Sequence, residues 1–125
     1  MGLPARRVTG LTPPARAMFA AATAARARTL LVVPTDADVE SATADARFFL
    51  SALEGVSDAE LERAVLPFPS QEVDPYRGLA PHFDIASARA RVLHGLVTGH
   101  ARLLVASAAA LLPRVCATSG WNCKQ

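Results

Sequence analysis

Lysine is almost missing from this 125-residue chain: Lys124 stands alone, and every other basic side chain is an arginine. That bias reads as a coding preference more than a chemical choice. Cysteine is nearly as scarce. Cys116 and Cys123 are the only two, seven apart near the C-terminus with no His or Asp beside them. A zinc site normally needs about four ligands, so no metal is expected here. In a chain read as cytoplasmic, free thiols fit better than a disulfide. Charge of one sign is also lacking. The formal net charge is +2 and the basic residues are scattered, without the clustered basic face of a dedicated nucleic-acid module. No apolar run approaches the ~20 residues that a membrane span requires. Met1 to Arg7 carries two arginines with no apolar stretch behind them. No secretory signal is read there, no membrane partner is expected, and the cytoplasm is the expected location.

What the chain does have is apolar side chains, at 51% of residues, enough for one domain with a real core. They fall in short β-like runs alternating with helical stripes. Arg7-Val8-Thr9 reads as a first strand, followed by a turn at Gly10. Thr12-Pro13-Pro14 opens an alanine-rich helix to about Ala25, since proline is tolerated in a first turn. Thr29 to Val33 is a continuous apolar run ended by Pro34, as suits a strand buried on both faces. Thr35 to Asp38 offers caps for a helix striped by Val39, Ala42, Ala46, Phe49, Leu50 and Leu53 and stopped by Gly55. Ser57-Asp58-Ala59-Glu60 has the form of a capping box. Val65-Leu66 with Phe68 is a third strand, cut short by Pro67 and Pro69. Asp84 is expected to cap a helix that ends at Gly99, a position for a left-handed residue. Arg102 to Ala106 gives a fourth strand, and Ser107 begins a short helix ending before Pro113. Strands alternating with helices predict an α/β fold: a P-loop-like parallel sheet of about four strands with helices on both faces, over residues 1–115. Residues 116–125 hold both cysteines and the only Trp, Asn and Lys, and read as an irregular or disordered tail.

Two segments carry the functional reading. The first follows the first strand, where a doubly wound sheet keeps its phosphate loop. A working loop needs G-x-x-x-x-G-K-[ST], with glycines for backbone approach, Lys for phosphate charge and a hydroxyl for Mg²⁺. Here Gly10 is followed by Ala15, Arg16 and Ala17 at the other three positions. Pro13 and Pro14 also remove two N–H donors from the cradle. An ordinary strand-to-helix turn is the plainer reading of this segment alone. No cofactor is expected to bind there.

The second is the connection from Phe68 to Ile85, framed by Pro69, Pro75 and Pro81 and carrying Glu72, Asp74, Tyr76, His82, Phe83 and Asp84. Prolines fix φ and make this a rigid, extended loop. His82 beside Pro81 reads as a backbone hydrogen-bonding residue, Asp84 as a helix cap and Tyr76 as a packing residue. No nucleophile or third orienting group stands by them, so no catalytic residue is expected. Arg89 and Arg91 read as a solvated helix face, and His94 and His100 as helix-end and turn residues.

Taken in order, these residues resemble a known family, the bacterial transcription-repair coupling factors, in their N-terminal UvrB-like module. The resemblance rests on Thr9-Gly10-Leu11 and the alanine-rich helix, on Thr29 to Pro34 with Ala44 to Leu50, and on a loop signature. That signature is Phe68-Pro69, Glu72, Pro75-Tyr76, Pro81-His82 and Asp84-Ile85. Arg89 to Leu96, Leu104 to Ala106 and Ala110 to Val115 continue the match, which spans residues 7–116. The chain departs from the family pattern at Gln71, Asp74 and Ala80, where Trp, Leu and Ser are usual. The resemblance implies the first, non-catalytic part of a large ATP-dependent DNA translocase that displaces stalled RNA polymerase and recruits UvrA. In such a parent, ATP and Mg²⁺ belong to a downstream motor. RNA polymerase, UvrA and double-stranded DNA are met through downstream domains, and this segment's partner is the rest of the parent chain. Two other readings stay open: a nucleotide-dependent UvrB-type helicase module with Arg16 in the role of Lys, and a stand-alone α/β binding domain sharing only architecture.

Overall fold

The computed structural model describes residues 5–70 and 83–112. The element order is α1 (Pro13–Ala24), β1 (Thr29–Val33), α2 (Asp36–Glu54), α3 (Asp58–Ala64), β2 (Val65–Phe68), α4 (Phe83–Thr98) and β3 (Leu103–Ser107), then a 3₁₀ turn over Ala109–Leu111. Among the described residues the sheet has three parallel strands in the order β1-β3-β2. The expected α/β class with a parallel sheet holds, with three strands in place of about four. Arg7-Val8-Thr9 is not a strand: it lies in an exposed, irregular segment. An arginine, a threonine and one half-exposed valine offer too little apolar surface to hold it against the sheet.

Helix boundaries follow local chemistry. At the start of α2 the Thr35 hydroxyl accepts from the Asp38 N–H (3.3 Å), and Asp38 Oδ2 accepts from the Thr35 N–H (3.1 Å). Ser57 and Glu60 form the same reciprocal pair before α3. Gly55 at φ 67° and Gly99 at φ 81° take the left-handed conformation expected of them, at the ends of α2 and α4. Thr12 precedes α1, but its side chain makes no cap hydrogen bond, and Pro14 at the second helical position has no N–H to offer. The expected cap Asp84 falls inside the first turn of α4, which begins at Phe83.

Crossover handedness explains the layers. The chain passes from β1 over the β3 position to β2, then returns to β3 in the opposite direction. Right-handed connections in opposite directions put their helices on opposite faces. Strand residues alternate accordingly. Val65, Leu103 and Val105 pack with α1, α2 and α3 around Ala17, Ala21, Val39, Ala46 and Leu50. Leu66, Phe68 and Ala106 pack with Val92 of α4 and with Ala110. Gly95 lets α4 sit close to the sheet: a Cβ there would lie 2.9 Å from Leu66 Cδ1 and 3.2 Å from Ala101 Cβ.

The two outer strands differ at their free edges. The Thr29 N–H and the Val33 C=O bond toward β3 (2.9 Å to Arg102 O, and 3.0 Å from the Ala108 N–H), so Leu30 and Val32 turn their backbone outward. Their side chains are about half exposed, because α4 covers β2 and β3 but not β1. On β2, Ala64 O accepts from the Arg102 N–H (2.9 Å), so Pro67 turns its ring nitrogen to the open edge. Pro67 therefore sits inside the strand instead of ending it, as an edge position allows.

Leu50 is fully buried while Leu53, one turn along the same helix, is 56% exposed. Leu50→Ala is expected to destabilise the fold by about 2–5 kcal/mol, and Leu53→Ala by about 0.5 kcal/mol or less. Urea unfolding of both variants checks this, and equal losses would contradict the assigned core.

Candidate functional site

In an open α/β sheet, ligands bind at the carboxyl ends of the strands, where neighbouring connections leave toward opposite faces. Here that point lies between β1 and β3. The chain leaves β1 toward α2 on one face, and leaves β3 toward the 3₁₀ turn and Ala110 on the other. The crevice is filled by the chain's own polar groups. Asp36, in the first turn of α2, accepts from the Ser70 N–H (3.0 Å) and from the Ser70 hydroxyl. Hydrogen bonds from the Ser107 and Ser70 hydroxyls hold its carboxyl below the ordinary 3.8, against a smaller opposing effect of burial. Ser107 is fully buried, and its Oγ also accepts from the Ala110 N–H (3.2 Å). A helix N-terminus attracts anions. At α2 that place belongs to Asp36.

Beside this cluster lies a buried cation. Arg89 is 8% exposed, so the expectation of a solvated face is corrected for it, while Arg91 is exposed as expected. Arg89 Nη1 donates to Pro69 O (2.9 Å) and Ala110 O (3.4 Å), and its guanidinium carbon lies 4.0 Å from the centre of the Phe68 ring. Burial pushes its pKa below the usual guanidinium range. Arginine suits the position because a planar guanidinium serves carbonyls and an aromatic face together.

The residues read as a degenerate phosphate loop lie around the start of α1. Gly10 is exposed at φ 78°. Ala15 is half-buried, and Ala17 is fully buried in the core on the α2 face. Arg16 is exposed and turns back on its own loop, donating from Nε to Leu11 O (3.2 Å). The cavity next to it measures about 140 Å³ and is lined by Pro13, Arg16, Val33, Asp38 and Asp45 among others. That is well short of the roughly 300 Å³ at which small-molecule pockets begin, and its two carboxylates repel phosphate.

Of the loop signature, Phe68 closes β2 in the core of the α4 face, and Pro69 follows with its carbonyl on Arg89. Asp84 and Ile85 lie in the first turn of α4. Glu72, Pro75, Tyr76, Pro81 and His82 fall outside the described residues, as do Cys116, Cys123 and the whole tail. The two ends of the signature thus gather on the α4 face, opposite Ala17. The Asp36–Ser70–Ser107 cluster was not anticipated from the sequence. Its signal was there: in parallel strands, polar residues just past each apolar run meet at the carboxyl edge. Among the described residues, no group of three or more His, Cys, Asp or Glu side chains could hold a metal ion.

A depressed folded-state pKa stabilises the fold above the unfolded value, and that gain is lost as pH falls through the folded value. Asp36→Asn is therefore expected to be less stable than the parent at pH 7, with the gap shrinking below about pH 4. Urea midpoints across pH measure this; an unchanged gap at low pH would show that the charge of Asp36 contributes nothing.

Comparison with known proteins finds no matching family model, no matching curated protein and no matching solved structure.

Proposed function

We propose that this chain is a non-catalytic interaction scaffold, the leading part of a UvrB-like module in a bacterial transcription-repair coupling factor. Its sheet is read as P-loop-like, with a nucleotide loop that has lost its chemistry. The observation that carries this reading is the cavity at the start of α1, with its volume of about 140 Å³, its Asp38 and Asp45 carboxylates and an Arg16 donor spent on Leu11 O. Ala17 supports it, since a buried methyl in the core holds no Mg²⁺. So does Asp36, which occupies the N-terminus of α2 at the carboxyl edge. The ordered resemblance from Thr9 to Val115 supplies the family. ATP turnover, and contact with RNA polymerase, UvrA and double-stranded DNA, then belong to further domains of a parent protein.

The test is titration of a fluorescent ATP analogue with Mg²⁺ into the purified chain. No saturable binding in the micromolar range is expected, and no hydrolysis that Arg16→Ala could remove. Micromolar affinity abolished by Arg16→Ala would favour the nucleotide-dependent helicase module instead.

A further inference from the structure

The free edge of β2 and the groove beside it were absorbed by no function above. Backbone groups of Val65, Pro67 and Pro69 face that edge, and its donors are gone. The Val65 N–H closes α3 on Leu61 O, and the two prolines have none. Two of the three carbonyls are covered, Val65 O by Arg47 Nη2 (2.9 Å) and Pro69 O by Arg89 (2.9 Å). The Pro67 carbonyl has no partner among the described residues, and Pro67 lines the groove.

The groove runs between α3 and α4 as two adjoining cavities, of about 530 and 350 Å³, that share Glu62, Arg63, Leu66 and Arg91. Arg47 lines its near end and His94 and His100 its far end. Arg63 and Arg91 are exposed and form no ion pair among the described residues, where the Arg102–Glu54 bridge is elsewhere. Arg47 Nε is buried without a partner. Among the described residues, three guanidinium groups thus face one carboxylate, Glu62, over a floor of Leu66, Pro67 and Ala88.

We propose that this groove binds an extended, acidic peptide segment of a partner protein. Asp and Glu side chains of the segment pair with Arg63 and Arg91, a main-chain N–H donates to the Pro67 carbonyl, and intervening apolar side chains rest on Leu66 and Ala88. A nucleic-acid strand matches the charge but not the edge, because a DNA phosphodiester backbone has no donor for that carbonyl. Full β-augmentation is excluded too, since the edge has no N–H to give. The inference deepens the scaffold reading by naming a surface. It is separable from that reading, because nucleotide titration tests one and peptide binding the other.

The experiment is fluorescence anisotropy with a labelled peptide alternating Glu and Val, beside a Lys-Val peptide and an oligothymidylate of equal length. The acidic peptide should bind, weaken with added salt, and lose at least about tenfold in affinity in an Arg63→Glu/Arg91→Glu variant. Both substituted side chains are exposed and form no ion pair among the described residues, and circular dichroism confirms the variant's fold. Amide shifts on the parent chain give a second readout, expected at Leu66, Ala88 and Gly95. No binding by the acidic peptide, binding untouched by the double reversal, shifts confined elsewhere, or preference for the oligonucleotide would each overturn the proposal.

Discussion

The last strand in chain order is the one that makes the sheet. β1 and β2 pair only with β3, through registers that begin at Thr29↔Leu103 and Val65↔Leu103. Neither outer strand has another partner among the described residues. Each outer strand therefore gains its ladder only when a long loop to β3 has closed, which places the entropic cost early and the reward late. At the amino end of the sheet a clamp reinforces this join. Arg102 grips Glu54 with two bonds, of 2.6 and 2.7 Å, and also reaches Ala24 O (3.3 Å), tying the ends of α1 and α2 to the start of β3. The hydrogen bond from Arg102 holds the Glu54 carboxyl below its ordinary value. Both side chains are partly solvated, so the clamp orients more than it stabilises.

The same strand delivers Ser107 to the opposite end. There it meets Asp36 from the start of α2 and Ser70 from beyond β2, one group from the carboxyl end of each strand. A crevice that in this architecture usually awaits a ligand is thereby satisfied from within. Interaction surface is left on the flanks instead. On one side, β1 presents Leu30 and Val32, with backbone that no described residue pairs. On the other, β2 presents a donorless edge under a row of arginines. Proline at alternate positions is a known defence of an edge strand. Here it also decides which kind of partner chain the edge can accept.

Much of the fold was legible because local chemistry and tertiary structure agree. The cap at the start of α2, the capping box at Ser57, the glycine stops at Gly55 and Gly99 and the apolar runs of β1 and β3 stand where the residues put them. Four things were not legible. Arg7-Val8-Thr9 has β-like residues, but strandhood depends on a neighbour's edge that a local pattern does not contain. Pro67 looked like a strand terminator, because only the pairing order reveals that its nitrogen faces outward. Arg89 looked like surface, because its two carbonyl partners and the Phe68 ring lie some twenty residues away in the chain. The Asp36–Ser70–Ser107 cluster needed the strand order too, since nothing in a linear reading says which strand ends are neighbours.

Amide hydrogen exchange under native conditions tests the dependence on β3 most directly. If β3 is the shared partner, the N–H groups of Leu31 and Val33 in β1 and of Leu66 and Phe68 in β2 open with one common free energy, that of global unfolding. The outward N–H groups of Leu30 and Val32 exchange fast by comparison. A lower opening free energy for β1 while β2 stays protected, or the reverse, would contradict a sheet that stands or falls with its central strand.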